Sequence, residues 1–224
     1  MSMKPLKHSE MKKRRDKQIL VAPEYHLIVT EGTKTEPNYF KGFKQEINAK
    51  YPDKVNVDVE GIGDNTLSLL ERAIKLVERN INTINHVWLV YDKDDFPDDD
   101  FDNTVNRCAA LSKSEVKYHA LWSNECIEFW FLLHFEYLQA ALLRDDYYPK
   151  LTEHLKKLTE NPEYKYKKNN GDIYATLRNR MPIAIREAKK LLNWHGDLPP
   201  SSCTPGTKVY EIFEFFAKDK YLKL

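Results

Sequence analysis

The sequence predicts an α/β fold: a parallel sheet of about four strands with helices on both faces, followed by a helical second half. Three observations lead there. Strand-like and helix-like segments alternate in the order β-α-β-α-β-α-β across residues 25–122. Two of the strand-like segments, YHLIVT (Tyr25–Thr30) and HVWLVY (His86–Tyr91), are nearly unbroken apolar runs, the pattern of strands covered on both faces. From Glu125 onward the periodicity is helical.

Each element has a local reason. Tyr25–Thr30 runs into Glu31-Gly32, a buried strand entering a turn. A helix follows over Pro37–Ala49, with Pro37 in the first turn, where its missing N–H needs no partner. Val55, Val57 and Val59 alternate with polar residues, so the second strand stops at Gly61-Ile62-Gly63. Asn65 or Thr66 caps a helix reaching Asn80, with Leu67, Leu70, Ile74 and Val77 on one face. The third strand, His86–Tyr91, leads into Asp92. A helix near Asn103–Ser112 and a fourth strand, Val116–Trp122, complete the alternation. Four further helices are expected at Glu125–Leu143, Pro149–Thr159, Asp172–Asn193 and Thr207–Lys218. Gly196–Gly206, with three prolines and three hydroxyl residues, reads as a connecting stretch.

At ~150 residues per domain, 224 residues fit one elaborated domain. We place a basic arm at residues 1–23 and a domain at 24–224, its core at 24–135 and a helical extension at 136–224. An apolar content of 42% excludes general disorder. Lys+Arg 35 against Asp+Glu 34 gives a net charge of +1, so the chain as a whole is no indiscriminate polyanion binder. No run approaches the ~18 apolar residues of a membrane span, and no apolar segment follows the basic start as in a secretory signal. Cys108, Cys126 and Cys203 are an odd, widely spaced set, which fits reduced thiols in a cytoplasmic protein better than disulfides or a zinc site.

Charge is distributed unevenly. Lys4–Lys17 holds seven basic and two acidic residues, either a solvated tail or a phosphate-contacting arm. Asp92–Asp102 holds seven Asp and one Lys. Asp95, Asp98, Asp99 and Asp100 read as a solvated acidic loop. Between Lys150 and Arg180 the chain is basic and tyrosine-rich; Tyr164, Tyr166 and Lys165–Lys168 either stack on and neutralise single-stranded nucleic acid or form a solvated surface.

In an open α/β sheet, ligands bind outside the carboxyl ends of the strands. Glu31 follows the first strand and Asp92 the third, with Asp94 two residues on. In an extended segment residues i and i+2 point the same way, so Asp92 and Asp94 aim at one point. If the first and third strands are neighbours, Glu31 joins them. Three carboxylates at one place repel unless a cation sits among them, and hard oxygen ligands select Mg²⁺ or Mn²⁺.

These residues resemble a known family. A strand, then Glu-Gly, then a strand ending in Asp-x-Asp is similar to the TOPRIM domain of topoisomerases, primases and overcoming-lysogenization-defect nucleases. LIVTEGTKTEPNYF (Leu27–Phe40), VWLVYDKDDF (Val87–Phe96) and SNECIEFWFLLHFE (Ser123–Glu136) resemble the RloB-like family of prokaryotic defence proteins, with a weaker echo in TPGTKVYEIFE (Thr204–Glu214). Members often carry Asn-Pro before the third motif's Cys, where this chain has Asn124-Glu125. The resemblance implies a TOPRIM-type nuclease used in anti-phage defence or abortive infection, linked to a partner AAA-type ATPase. This chain has no Walker A motif of its own.

The implied roles fall on single residues. Asp92 and Asp94 hold Mg²⁺, and Glu31, by resemblance to TOPRIM enzymes, is a further ligand or general acid/base. Gly32 allows a tight turn where backbone approaches phosphate. Lys34 and Lys93 either bind phosphate or are plain surface lysines. Glu36 is an outer-sphere group or a first-turn helix acid. Asn124 caps the following helix, and Glu125 and Glu128 share one face of it, Glu128 being the one that matches the family pattern. His134 is either a core histidine or an auxiliary base.

The leading reading is a Mg²⁺- or Mn²⁺-dependent phosphodiesterase acting on DNA or RNA with an ATPase partner, compatible with a homo-oligomer. The alternative is a non-catalytic nucleic-acid-sensing or ATPase-docking subunit. The Glu-Gly turn and the lack of a recognisable sugar-donor region count against a glycosyltransferase reading of Asp-x-Asp, and a haloacid-dehalogenase reading fails because its motif belongs on the first strand.

Overall fold

The computed structural model describes residues 23–63, 66–80, 83–94, 96–112 and 115–224. The basic arm expected over residues 1–23 lies, but for Pro23, outside them, as do Asn65, Asp95 and the side chain of Leu67. Strands β1 (Glu24–Thr30), β2 (Val55–Gly61), β3 (His86–Asp92) and β4 (Lys117–Asn124) run parallel, joined by α1 (Thr35–Lys50), α2 (Thr66–Arg79) and α3 (Asp98–Leu111). With β5 (Gly206–Thr207) they form one sheet in the order β2-β1-β3-β4-β5.

Strand alternation explains the two layers. Leu27, Val29, Val87, Leu89 and Tyr91 pack with Leu69, Leu70 and Ala73 of α2 and Phe101 and Cys108 of α3. Their neighbours Ile28, Trp88 and Val90 point the other way, into the larger core with Tyr39, Phe40 and Phe43 of α1. Burial on both faces removes the polar alternation from β1 and β3. Edge strand β2 keeps it, with Val55 and Val57 buried and Asn56 and Asp58 exposed.

The second half departs from a simple run of helices. Gly206 and Thr207 pair antiparallel with Asn124 and Ser123 as β5, and α8 (Tyr210–Lys218) begins only after them. Two residues are too few to carry a strand period, so the sequence reading merges them into the helix.

The helix expected over Glu125–Leu143 is cut to α4 (Ile127–Leu132). Arg180 Nε donates to the His134 carbonyl at 2.8 Å, and the guanidinium lies 5.2 Å from the Phe135 ring centroid. A tertiary partner thus takes an acceptor that a continuing helix would use. The chain returns as α5 (Arg144–Thr159), starting ahead of Pro149.

The helix expected over Asp172–Asn193 is α6 (Ile173–Leu177), a 3₁₀ turn at Arg178–Arg180 and α7 (Met181–His195). Pro182 has no N–H to continue the ladder, and it sits instead in the first turn of α7. The supposed acidic loop is also helical: Asp98, Asp99 and Asp100 form the first turn of α3, where carboxylates meet the positive end of the helix dipole. Among the described residues no helix is long and apolar enough to cross a membrane.

Candidate active site

β1 and β3 are adjacent and in register, Thr30 opposite Val90, so their carboxyl ends bring Glu31 beside Asp92. The chain steps from β1 outward to β2 and then returns past β1 to β3, which makes this junction the switch point of the sheet. Glu31 Oε2 accepts a hydrogen bond from the Asp92 N–H at 3.1 Å.

Asp92 and Asp94 converge, but not by strand alternation as expected. β3 ends at Asp92, and Asp94 sits at φ +37°, so the backbone turns rather than extends. The N–H groups of Lys93 and Asp94 both donate to the Glu125 carbonyl, at 3.1 and 3.3 Å, which pins that turn. The two carboxylates meet on Arg144 at the start of α5. Its Nη2 lies 3.0 Å from Asp92 Oδ2 and 2.5 Å from Asp94 Oδ1.

These groups line a cleft of about 550 Å³ together with Gly32, Lys34, Glu36, Glu128 and Lys168. Glu36 is 7% exposed and Glu128 2% exposed, so both carboxylates lie deep. Gly32 has a reason the sequence did not disclose: a Cβ there would lie 2.3 Å from Glu36 Oε2. A larger residue there would have to push the Glu36 carboxylate aside. Gly61 is similarly confined, since a Cβ would meet Pro37 Cγ at 2.8 Å.

Several expected roles are corrected by placement. Lys93 turns away from the cleft, donating to the Phe96 carbonyl and pairing with Asp98 at 3.1 Å. His134 is fully buried with Nδ1 3.0 Å from the Trp130 carbonyl, and burial pushes its pKa down to about 3. It is a neutral core residue and does not line the cleft. Asn124 ends β4 and donates to the carbonyls of Pro200 and Ser201 at 3.2 and 2.9 Å, while Cys126 holds the N-cap position of α4. Glu125 precedes that helix, so it shares no helical face with Glu128. Tyr166 is no stacking platform: it is buried, and its hydroxyl donates to Glu128 Oε1 at 3.1 Å.

Electrostatics follow from this crowding. Burial raises the Asp92 pKa well above the usual carboxylate range, and Glu36, Glu128 and Asp94 add to it, against the opposing pull of Arg144. Burial likewise raises Asp94 and Glu36. For Arg144, burial opposes the charge, but Asp92 and Asp94 outweigh it and hold the guanidinium more firmly charged than usual. Asp92 Oδ1 and Arg144 Nε are both buried with no hydrogen-bond partner among the described residues. The donor set is all carboxylate oxygen, the chemistry Mg²⁺ or Mn²⁺ prefers, and an orphaned Asp92 oxygen suits a cation. Among the described residues, however, no three His, Cys, Asp or Glu side chains are gathered as a metal site, and Arg144 stands between two of the candidates. The three cysteines are buried and unpaired by disulfide; burial pushes Cys108 up to about 12.

Sequence reasoning missed Arg144 and gave Lys168 no place at the carboxylates. Arg144 lies 52 positions from Asp92, on a helix whose start the apolar pattern conceals. Fold and cleft together define an α/β protein with a carboxylate-lined cleft at the switch point of its sheet. A family model described as RloB-like protein matches residues 26–215, and the chain belongs to that family. Neither a curated protein nor a solved structure matches it.

Proposed function

We propose that this chain is a Mg²⁺- or Mn²⁺-dependent nuclease of the TOPRIM type, cleaving phosphodiester bonds of DNA or RNA in anti-phage defence beside an AAA-type ATPase. The observation that carries the reading is that Glu31, Asp92 and Asp94 line one cleft at the carboxyl ends of β1 and β3, which Lys34, Arg144 and Lys168 also line. Buried carboxylates with raised pKa values favour a neighbouring cation, and three basic groups in the same cleft suit a polyanion.

Glu31, Asp92 and Asp94 are the residues that would hold the metal, which supplies charge neutralisation at a scissile phosphate and its leaving oxygen. Glu31 also orients the turn through its bond to the Asp92 N–H, and stands where a proton can be exchanged with an attacking water. Lys34 and Lys168 are exposed residues of the cleft, placed to meet the substrate backbone. Glu128 lines the cleft with its carboxylate buried and held by the Tyr166 hydroxyl.

The test is incubation of the purified protein with plasmid DNA and with total RNA, in Mg²⁺, Mn²⁺ or chelator, with and without the ATPase. Metal-dependent scission of either polymer supports the reading. Intact polymers in every arm, with the ATPase present, contradict it. One observation favours a second reading, a non-catalytic nucleic-acid-sensing or ATPase-docking subunit: Arg144 already pairs with both Asp92 and Asp94. That reading predicts binding without scission.

A further inference from the structure

We propose that Arg144 is an exchangeable counter-cation that holds Asp92 and Asp94 closed against a divalent metal and, once displaced, binds the substrate's phosphate. The inference rests on the metal-dependent reading above and adds a regulation of the same site.

The geometry is that of an occupant rather than a permanent brace. A structural arginine normally grips a carboxylate with two nitrogens, because its planar fork matches the two oxygens. Here the closest contact to Asp92 and the closest contact to Asp94 are both made by the same nitrogen, Nη2. Nε is left buried with no partner among the described residues, and so is Asp92 Oδ1. An orphaned acceptor and an orphaned donor thus stand on the two sides of one ion pair. A metal at the carboxylates satisfies the first, and a phosphate oxygen at the guanidinium satisfies the second.

Arg144 is also placed to move. It is the first residue of α5, next to Leu143, which is 72% exposed. Its own side chain is 31% exposed, against 6% for Asp92. α5 itself is anchored farther along by Tyr147, Leu151 and Leu155, all fully buried, so the guanidinium can swing without unpacking the helix. Lys168 lines the same cleft and would share the phosphate with it. The five carboxylates of the cleft outnumber its three cations, Lys34, Arg144 and Lys168, so charge remains for a divalent ion to compensate.

The test is a Mn²⁺ titration of wild type and Arg144→Gln, reading free aquo-Mn²⁺ by electron paramagnetic resonance, with a parallel titration of a non-cleavable oligonucleotide. The expected result is Mn²⁺ affinity about tenfold higher in Arg144→Gln, within the range of coupled binding, with weaker oligonucleotide binding. Equal or lower Mn²⁺ affinity in the variant overturns the proposal while leaving the metal reading intact. No Mn²⁺ binding by either protein overturns the metal reading and the proposal with it. Because removing Arg144 can unfold the site, the wild type gives an independent readout. In ¹⁵N spectra of its arginine side chains, with the Arg144 Nε–H resonance assigned through Arg144→Lys, Mg²⁺ must shift that resonance; an unmoved resonance at saturating Mg²⁺ overturns the proposal.

Discussion

Tyr166 delivers its hydroxyl to Glu128 Oε1 in a buried hydrogen bond of 3.1 Å. Tyr166→Phe strands a buried carboxylate oxygen, at a cost of about 1–3 kcal/mol. It should lower the urea midpoint with an unchanged m value; an unmoved midpoint would show that the bond contributes nothing. The acidic residues at the cleft make the opposite kind of prediction. Asp92→Ala and Asp94→Ala should each abolish metal-dependent cleavage and phage defence while the circular dichroism spectrum stays that of the wild type. Wild-type activity in both variants would remove these carboxylates from the chemistry. Arg144 joins them as a residue whose role only the folded chain reveals, since nothing local to RDDYY signals a partner 52 positions back.

At the level of elements, three parallel strands carry a stack of imidazoles on one sheet face. His26 of β1 and His86 of β3 have ring centroids 4.8 Å apart, and His86 and His119 of β4 are 5.2 Å apart. His86 Nδ1 lies 2.9 Å from His119 Nε2, Glu24 lies 3.0 Å from the other nitrogen of His86, and Asp219 acts on it from beyond α8. Phe215 and Phe216 of α8 cover the stack. Burial, then His86 and His26, push His119 down to about 4, and burial and then His26 lower His86. Their folded pKa values lie below the ordinary value of ~6.5, so the unfolded chain takes up protons first as pH falls. Stability is full above that value and declines as pH drops toward 4. The decline in urea midpoint over this window should be shallower in His119→Gln; an identical slope would mean the stack does not titrate with unfolding.

Strands β1 and β3 are legible in the sequence because double burial writes a nearly unbroken apolar run, and β2 because one exposed face writes an alternation. Glu31 and Asp92 are legible for the same reason, since strand ends are predictable. The ends of α4 and α6 are not, because Arg180 and Pro182 set them through tertiary contact and a missing N–H rather than through periodicity. Gly32 is legible as a turn residue, but its close approach to Glu36 is not, because that contact is made only in the fold.

At the scale of the whole molecule, the site, the sheet and the charge map have to work together. Lys4–Lys17 carries seven basic and two acidic residues, a net charge of +5 far in sequence from every candidate ligand. If that segment contacts nucleic acid, each neutralised phosphate adds about −0.9 to the slope of log K against log salt on duplex DNA and about −0.7 on single strands. Deleting residues 1–17 should flatten the slope by a few units and leave metal-dependent chemistry in place. An unchanged slope would assign the segment to something other than nucleic acid.

The claim on which the account turns is that Glu31, Asp92 and Asp94 hold a divalent cation, and thermal unfolding across a Mn²⁺ series measures it most directly. At ~100 times the Kd, binding adds roughly 2.7 kcal/mol. For a chain of this size that is about 2–4 °C of Tm per kcal/mol. The wild type should therefore gain several degrees at saturating Mn²⁺, and the Asp92→Asn, Asp94→Asn double variant should gain none. A wild-type Tm that does not move at millimolar Mn²⁺, or a double variant that rises as much as the wild type, would contradict the account.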